Sequence, residues 1–157
     1  SVVGNEGERV PDLIMSFTWD STVNDKGFTG FSYSSSGSAG QGQHGSMSPN
    51  ELNNVLFAQG PNFKHNCSID TPTGNIDITP TILHILGVPG SENMDGRVLY
   101  EGLHGEDTPD PQSIHTEVIK AERTIETGVF RQEISVTHVN SSYYIDSGKA
   151  TLDSTGV

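Results

Sequence analysis

Apolar residues along this chain come in short bursts, and the spacing inside each burst predicts an element. Residues 12–19, DLIMSFTW, are mostly apolar and few, which predicts a buried strand. Residues 20–48 are polar and rich in Gly and Ser; in 34–46 nine of thirteen positions are one or the other, the composition of a flexible loop. SPNE at 48–51 is a capping-box pattern with Pro at the first helical position, so a short helical turn is expected there. NVLFAQG at 54–60 reads as a strand that stops at Gly60-Pro61, and a loop follows from 63 to 75. Asp77 is placed to cap a helix over 78–86 that Gly87 closes, with Ile78, Ile82, Leu83, Ile85 and Leu86 as its buried side. Residues 87–113 form a long loop containing MDGRVLYEGL.

From residue 114 the period changes. IHTEVIKAE, VFRQEISVTHV and SYYID read as strands, and Phe130, Gln132, Ile134 and Val136 alternate with Arg131, Glu133, Ser135 and Thr137. Turns are expected at 140–142 and 146–149, making an antiparallel meander with one wet face. No internal repeat is present.

At 157 residues, with 32% hydrophobic positions, 18 Gly and 8 Pro, the chain can build one modest core with many turns. Twenty acidic residues against eight basic give a formal net charge of -12, which argues against binding driven by nucleic acid phosphates. One cysteine, Cys67, excludes an internal disulfide framework and a Cys-rich zinc site. No apolar run approaches the ~20 residues of a membrane span. The first residue is Ser, not Met, and the expectation is a chain that is processed, trimmed or part of something longer. Asn66-Cys67-Ser68 and Asn140-Ser141-Ser142 are glycosylation sequons, relevant if the chain is secreted.

Four stretches in order carry a family resemblance: GQHGSMSP (42–49), AQGPNF (58–63), PTGNIDITPTIL (72–83) and MDGRVL (94–99). The series resembles the C-terminal part of the alkaline phosphatase superfamily, and looks closest to its type I phosphodiesterase/nucleotide pyrophosphatase branch. The Asp-x-x-Pro-Thr helix is shared with sulfatase-like relatives. The resemblance implies an α/β fold with a central, mostly parallel sheet flanked by helices; residues 1–113 are expected to be the C-terminal portion of that alkaline-phosphatase-like sheet sandwich, and the antiparallel β meander read from the alternation follows it over 114–157. It implies hydrolysis of phosphoric esters with two zinc ions, a geometry suited to clamping an in-line displacement. His44 matches the late metal-binding His of such enzymes, and its glycine neighbours let the backbone bring an imidazole to an ion.

The remaining histidines carry less. His65 is a candidate for lining the mouth of that site. His104-Gly105 reads as a chance match in an acidic loop, and His115 and His138 as packing or surface residues of strands. Arg97 and Asp95 are expected to fix a loop. No nucleophile motif and no Asp-His-Gly is present, and a catalytic zinc takes three protein ligands. The expectation is therefore a hydrolase portion that contributes one metal ligand, has phosphate esters as substrate and depends on an N-terminal catalytic portion in the same or another chain. Alone it is expected to be inactive. With so few parallel-type strands, it should leave a raw apolar face for another part to cover. The rival readings are a structural or assembly module that self-associates through its C-terminal strands, and a binding module without chemistry. Family habit and acidity favour an extracellular or periplasmic location.

Overall fold

The computed structural model describes residues 15–33, 38, 41, 44–106 and 108–154, the side chains of Phe31 and Pro111 excepted. Its largest element is an antiparallel three-stranded sheet in the order β3-β4-β5, with β3 Ile114–Ile125, β4 Gly128–Val139 and β5 Ser142–Ser154. This is the expected meander, with each strand longer than its alternating run. Asn140 turns the chain between β4 and β5 with φ 54°, a conformation Asn tolerates better than most residues. The turn expected at 146–149 is instead a bulge inside β5. Ser147 pairs with Ser135 and Ile145 with Val136, so Asp146 is the extra residue. Its carboxylate accepts hydrogen bonds from Thr137 (2.8 Å) and Ser135 (3.3 Å), which holds the side chain against β4. The other hairpin turns at Glu126-Thr127, where Gly128 with φ 146° passes so close to the Asp153 carbonyl that a Cβ would overlap it.

A second sheet is the hairpin of β1 Trp19–Val23 and β2 Thr29–Ser32. It falls in a segment whose polar composition reads as loop. The turn is built by Asn24, whose side-chain oxygen accepts from the Lys26 (2.9 Å) and Phe28 (3.0 Å) amides, while Gly27 takes φ 83°. The strand expected at 12–19 is not formed over 15–18; residues 12–14 lie outside the described residues. Trp19 starts β1 instead, and its indole N–H donates to the Gly148 carbonyl at 2.6 Å, tying the hairpin to β5.

Helix α1, Pro49–Leu52, starts as the capping pattern predicts: the Ser48 hydroxyl accepts from the Asn50 amide at 3.2 Å. The expected strand at 54–60 has no ladder partner and no regular structure among the described residues, which leaves Val55, Leu56 and Phe57 exposed. Helix α2, Ile78–Leu86, ends at Gly87 in the left-handed conformation (φ 65°), as its sequence predicts. Its packing differs from expectation. Pro80 and Thr81 are buried, whereas Ile78, Ile82 and Leu86 are exposed and Leu83 and Ile85 half-buried.

The apolar core is small: Val98, Leu103, Val136, Val139 and Tyr144. It lies where the base of the meander meets the loop after α2. All strands described are antiparallel, so the mostly parallel sheet that the resemblance implies is not seen among the described residues, and the architecture is mixed helix and sheet.

Candidate functional site

Three groupings of polar side chains lie around this core. The first is buried and joins α2 to the MDGRVL tract and β5. Asp77 is fully buried, and its carboxylate accepts from the Gly74 amide (2.8 Å), the Arg97 amide (2.8 Å) and the Tyr144 hydroxyl (2.9 Å). It therefore does not cap α2 by its side chain, as its position suggested; it bridges three segments instead. Thr81 reinforces the joint by donating to the Asp77 carbonyl (2.7 Å) and accepting from the Leu99 amide (3.0 Å).

Arg97 forms a bidentate pair with Glu101 at 2.9 and 2.5 Å, and donates to the Pro72 carbonyl (3.0 Å) and the Tyr144 hydroxyl (3.1 Å). Burial alone would lower the guanidinium pKa; the hydrogen bonds and charge of Glu101 outweigh it, and the net shift is upward. The Tyr144 phenol is pushed up to about 12, first by burial and then by the Asp77 carboxylate, with Arg97 opposing. The Arg97 fork is engaged on all sides, so its charge is not available to clamp a substrate. The grouping fixes a loop, the role expected of Arg97; Asp95 takes part only through its carbonyl, which accepts from Ser142 at 3.4 Å.

The second grouping holds His44. Gln43 and Gly42 lie outside the described residues. His44 is exposed, and Gly45 after it takes φ 95°, a pivot that most side chains would strain. Beyond the pivot the chain is clamped. The Ser46 amide donates to Glu51 (2.8 Å), the Ser46 hydroxyl meets that of Ser32 on β2 (3.2 Å), and the Met47 carbonyl accepts from the Gly148 amide on β5 (2.9 Å). Glu51 therefore reaches back to Ser46 rather than closing the capping box on Ser48. Burial raises its pKa, but hydrogen bonds from Ser32 and Ser46 and the nearby His44 imidazole outweigh that, and the carboxyl is held low. His44 thus stands beside an ionised carboxylate at the end of an anchored segment. Glu51 is the residue that sequence reasoning saw only as a helix cap.

The third grouping is a pair of imidazoles. Phe63 bridges Leu103, the Lys64 amide donates to the Gly102 carbonyl and the His104 amide to the Asn62 carbonyl, both at 2.9 Å. This short ladder sets the rings of His65 and His104 5.8 Å apart. His65 also lines an open cleft of about 360 Å³ with Phe57, Gln59, Phe63 and Lys64. His115 and His138 stack on β3 and β4 with centroids 4.7 Å apart, and His138 meets Glu117 at 3.0 Å. Among the described residues no group of three or more His, Cys, Asp or Glu side chains is arranged to hold a metal ion.

Comparison with known proteins adds one likeness. A stretch of 46 residues, 29% of this chain, is 44% identical to a putative extracellular sulfatase Sulf-1 homolog of Caenorhabditis elegans. The sulfatase homologue is a member of the alkaline phosphatase superfamily. The matched stretch covers 6% of that relative's length. No protein-family profile matches the chain. No solved structure matches it.

Proposed function

We propose that this chain is the C-terminal portion of a metal-dependent ester hydrolase of the alkaline phosphatase superfamily, acting on a phosphoric or sulfuric ester. The likeness to the sulfatase homologue carries the reading. Two further features support it. The Asp-x-x-Pro-Thr helix and the MDGRVL tract, separate in sequence, interlock through buried Asp77 and Arg97 as parts of one scaffold. Ile78, Ile82 and Leu86 on α2, with Val55, Leu56 and Phe57 before it, expose apolar surface of the kind another part of a larger protein covers.

In this reading residues 1–113 are the end of an alkaline-phosphatase-like region and 114–157 a sheet appended to it. The motif series favours a phosphodiester or pyrophosphate over a sulfate. The protein acts outside the cell, like the sulfatase homologue by its name.

The donor set bears on zinc. His44 and Glu51 are fewer than the three protein ligands a catalytic zinc takes, so zinc fits here as an ion to which His44 contributes one ligand and an N-terminal catalytic portion the rest. Such an ion would supply Lewis-acid stabilisation of developing negative charge. This chain's part is to hold the imidazole: the clamp on Ser46 and Met47 fixes the segment, and Gly45 sets the direction of approach. His65, at the cleft beside Lys64, lines the approach to the site.

The test compares the longest native polypeptide carrying this chain with its His44→Ala variant. Zinc content is measured by mass spectrometry, and hydrolysis is followed with bis(p-nitrophenyl) phosphate and p-nitrophenyl sulfate. Losing an outer-shell partner typically costs about 10–100-fold in metal affinity or activity, and losing a ligand should cost no less. A variant with unchanged zinc content and turnover would refute the ligand role. Hydrolysis of neither ester by the wild type would remove the hydrolase reading.

A further inference from the structure

The charges on the meander are arranged in rows that stop at a bare edge. β3 is hydrogen-bonded to β4 along one side, and among the described residues no strand pairs with its other side. Eleven of its twelve residues are exposed. The two-residue hairpin after Ile125 turns the backbone groups of Arg123, Ala121 and Ile119 toward β4, so those of Glu122, Lys120 and Val118 face outward. An edge of this length is a template for another strand.

The rows say which strand. Lys120, Glu133 and Lys149 lie side by side across the sheet, with Lys149 2.9 Å and Lys120 3.8 Å from the Glu133 carboxylate. In the row beside it Glu122 meets Arg131 at 3.3 Å; Thr151 lies directly across from Arg131, and Arg131 pairs diagonally with Asp153, two residues further along β5. One row therefore reaches the bare edge on a cation and the other on an anion, with the Lys120 and Glu122 side chains 72% and 70% exposed. The two are two residues apart on one strand. A strand with this pattern is complementary to itself when reversed.

We propose that β3 pairs antiparallel with β3 of a second copy of this chain, about a two-fold axis at Ala121, making a continuous six-stranded sheet. Lys120 then faces the partner subunit's Glu122, and the reciprocal contact repeats across the axis, as a two-fold interface requires. Across the new seam the sign then alternates from Lys149 through Glu133 and Lys120 to the partner subunit's Glu122 and the partner subunit's Arg131, and the same sequence repeats on the other side of the axis. Moving the register by two residues sets Lys120 against Lys120 or Glu122 against Glu122, and like charges directly opposite destabilise a strand pair. On the other face exposed Ile119 lies along the stem of the partner subunit's Arg123. At a formal net charge of -12 two copies repel at long range, so pairing needs local complementarity of this kind.

The experiment is light scattering on the longest native polypeptide carrying this chain, its Lys120→Glu and Glu122→Lys variants, and an equimolar mixture of the two. The wild type is expected at twice the monomer mass and each variant at the monomer mass. The mixture is expected to return to the doubled mass, because the two variants oppose Glu to Lys on both sides of the axis. Recovery in the mixture also shows that the variants are folded. An Ala121→Cys variant in a Cys67→Ser background places two thiols across the axis at a spacing a disulfide spans, and should oxidise to a covalent dimer. A monomeric wild type, which would leave the edge to another segment or partner, overturns the proposal. So does a doubled mass that neither charge reversal lowers, or the absence of the Ala121→Cys cross-link.

Discussion

Replacing Asp77 by Ala removes the acceptor on which three segments converge. The Gly74 amide, the Arg97 amide and the Tyr144 hydroxyl each lose a partner in a site from which the side chain excludes water entirely. A hydrogen bond to a charged group contributes about 1.5–3 kcal/mol, so three give a ceiling of about 4.5–9 kcal/mol. The sum overstates the loss, since the Tyr144 hydroxyl can turn and the carboxylate no longer has to be held out of water. Breaking a buried charged interaction by removing one partner costs about 3–5 kcal/mol, and that is the expected loss. At this chain length it corresponds to a fall in melting temperature of roughly 6–20 °C. The assay is urea unfolding of wild type and variant followed by far-ultraviolet circular dichroism. Tyr144→Phe is the comparison: it loses one of the three bonds to Asp77 and also the bond that the Arg97 guanidinium donates to the phenol, about 1.5–3 kcal/mol each. The double variant should fall short of the sum, because the two side chains touch. An Asp77→Ala protein within about 1 kcal/mol of wild type would refute the reasoning, since it would mean that the joint is not formed in solution.

Two further predictions follow from the same joint. Tyr144 has a pKa raised from 10.0 to about 12, so its folded form holds the proton more tightly than the unfolded form. Its contribution is complete below pH 10 and is lost as pH rises through about 12; a Tyr144→Phe protein should show a shallower loss of stability over that window in the same unfolding assay. Gly96→Ala would press a Cβ into the Ile76 carbonyl, which is backbone and cannot swing away. It should cost about 1–3 kcal/mol or more, and a melting temperature equal to wild type would count against the packing of the MDGRVL tract on the turn before α2.

Much of the local structure was legible in the residues. The meander follows from period-two alternation in 130–137, the start of α1 from Ser48-Pro49, and the end of α2 from Gly87. The β1–β2 hairpin was legible too, through Asn24 and Gly27, but composition masked it: a Ser- and Gly-rich stretch reads as loop unless the turn chemistry is weighed first. The strand expected at 54–60 has strand-forming residues but no ladder partner among the described residues, and a strand exists only as half of a ladder. Of the candidate site, the motif around His44 was visible, but its neighbour Glu51 was not, because its carboxylate could as well have capped the helix it begins.

Caps, turns and alternation depend on residues within about four positions of one another, so the backbone hydrogen bonds and steric limits that decide them are written in adjacent letters. Which surfaces meet is not. Asp77 became a bridge instead of a cap because Arg97 and Tyr144, twenty and sixty-seven residues away, donate to it. His65 and His104 became neighbours because two loops share a short ladder. Ile78, Ile82 and Leu86 of α2 stayed exposed although such residues announce burial. Hydrophobicity states that a face gains by leaving water, but a core forms only where a second face of matching shape is present to cover it.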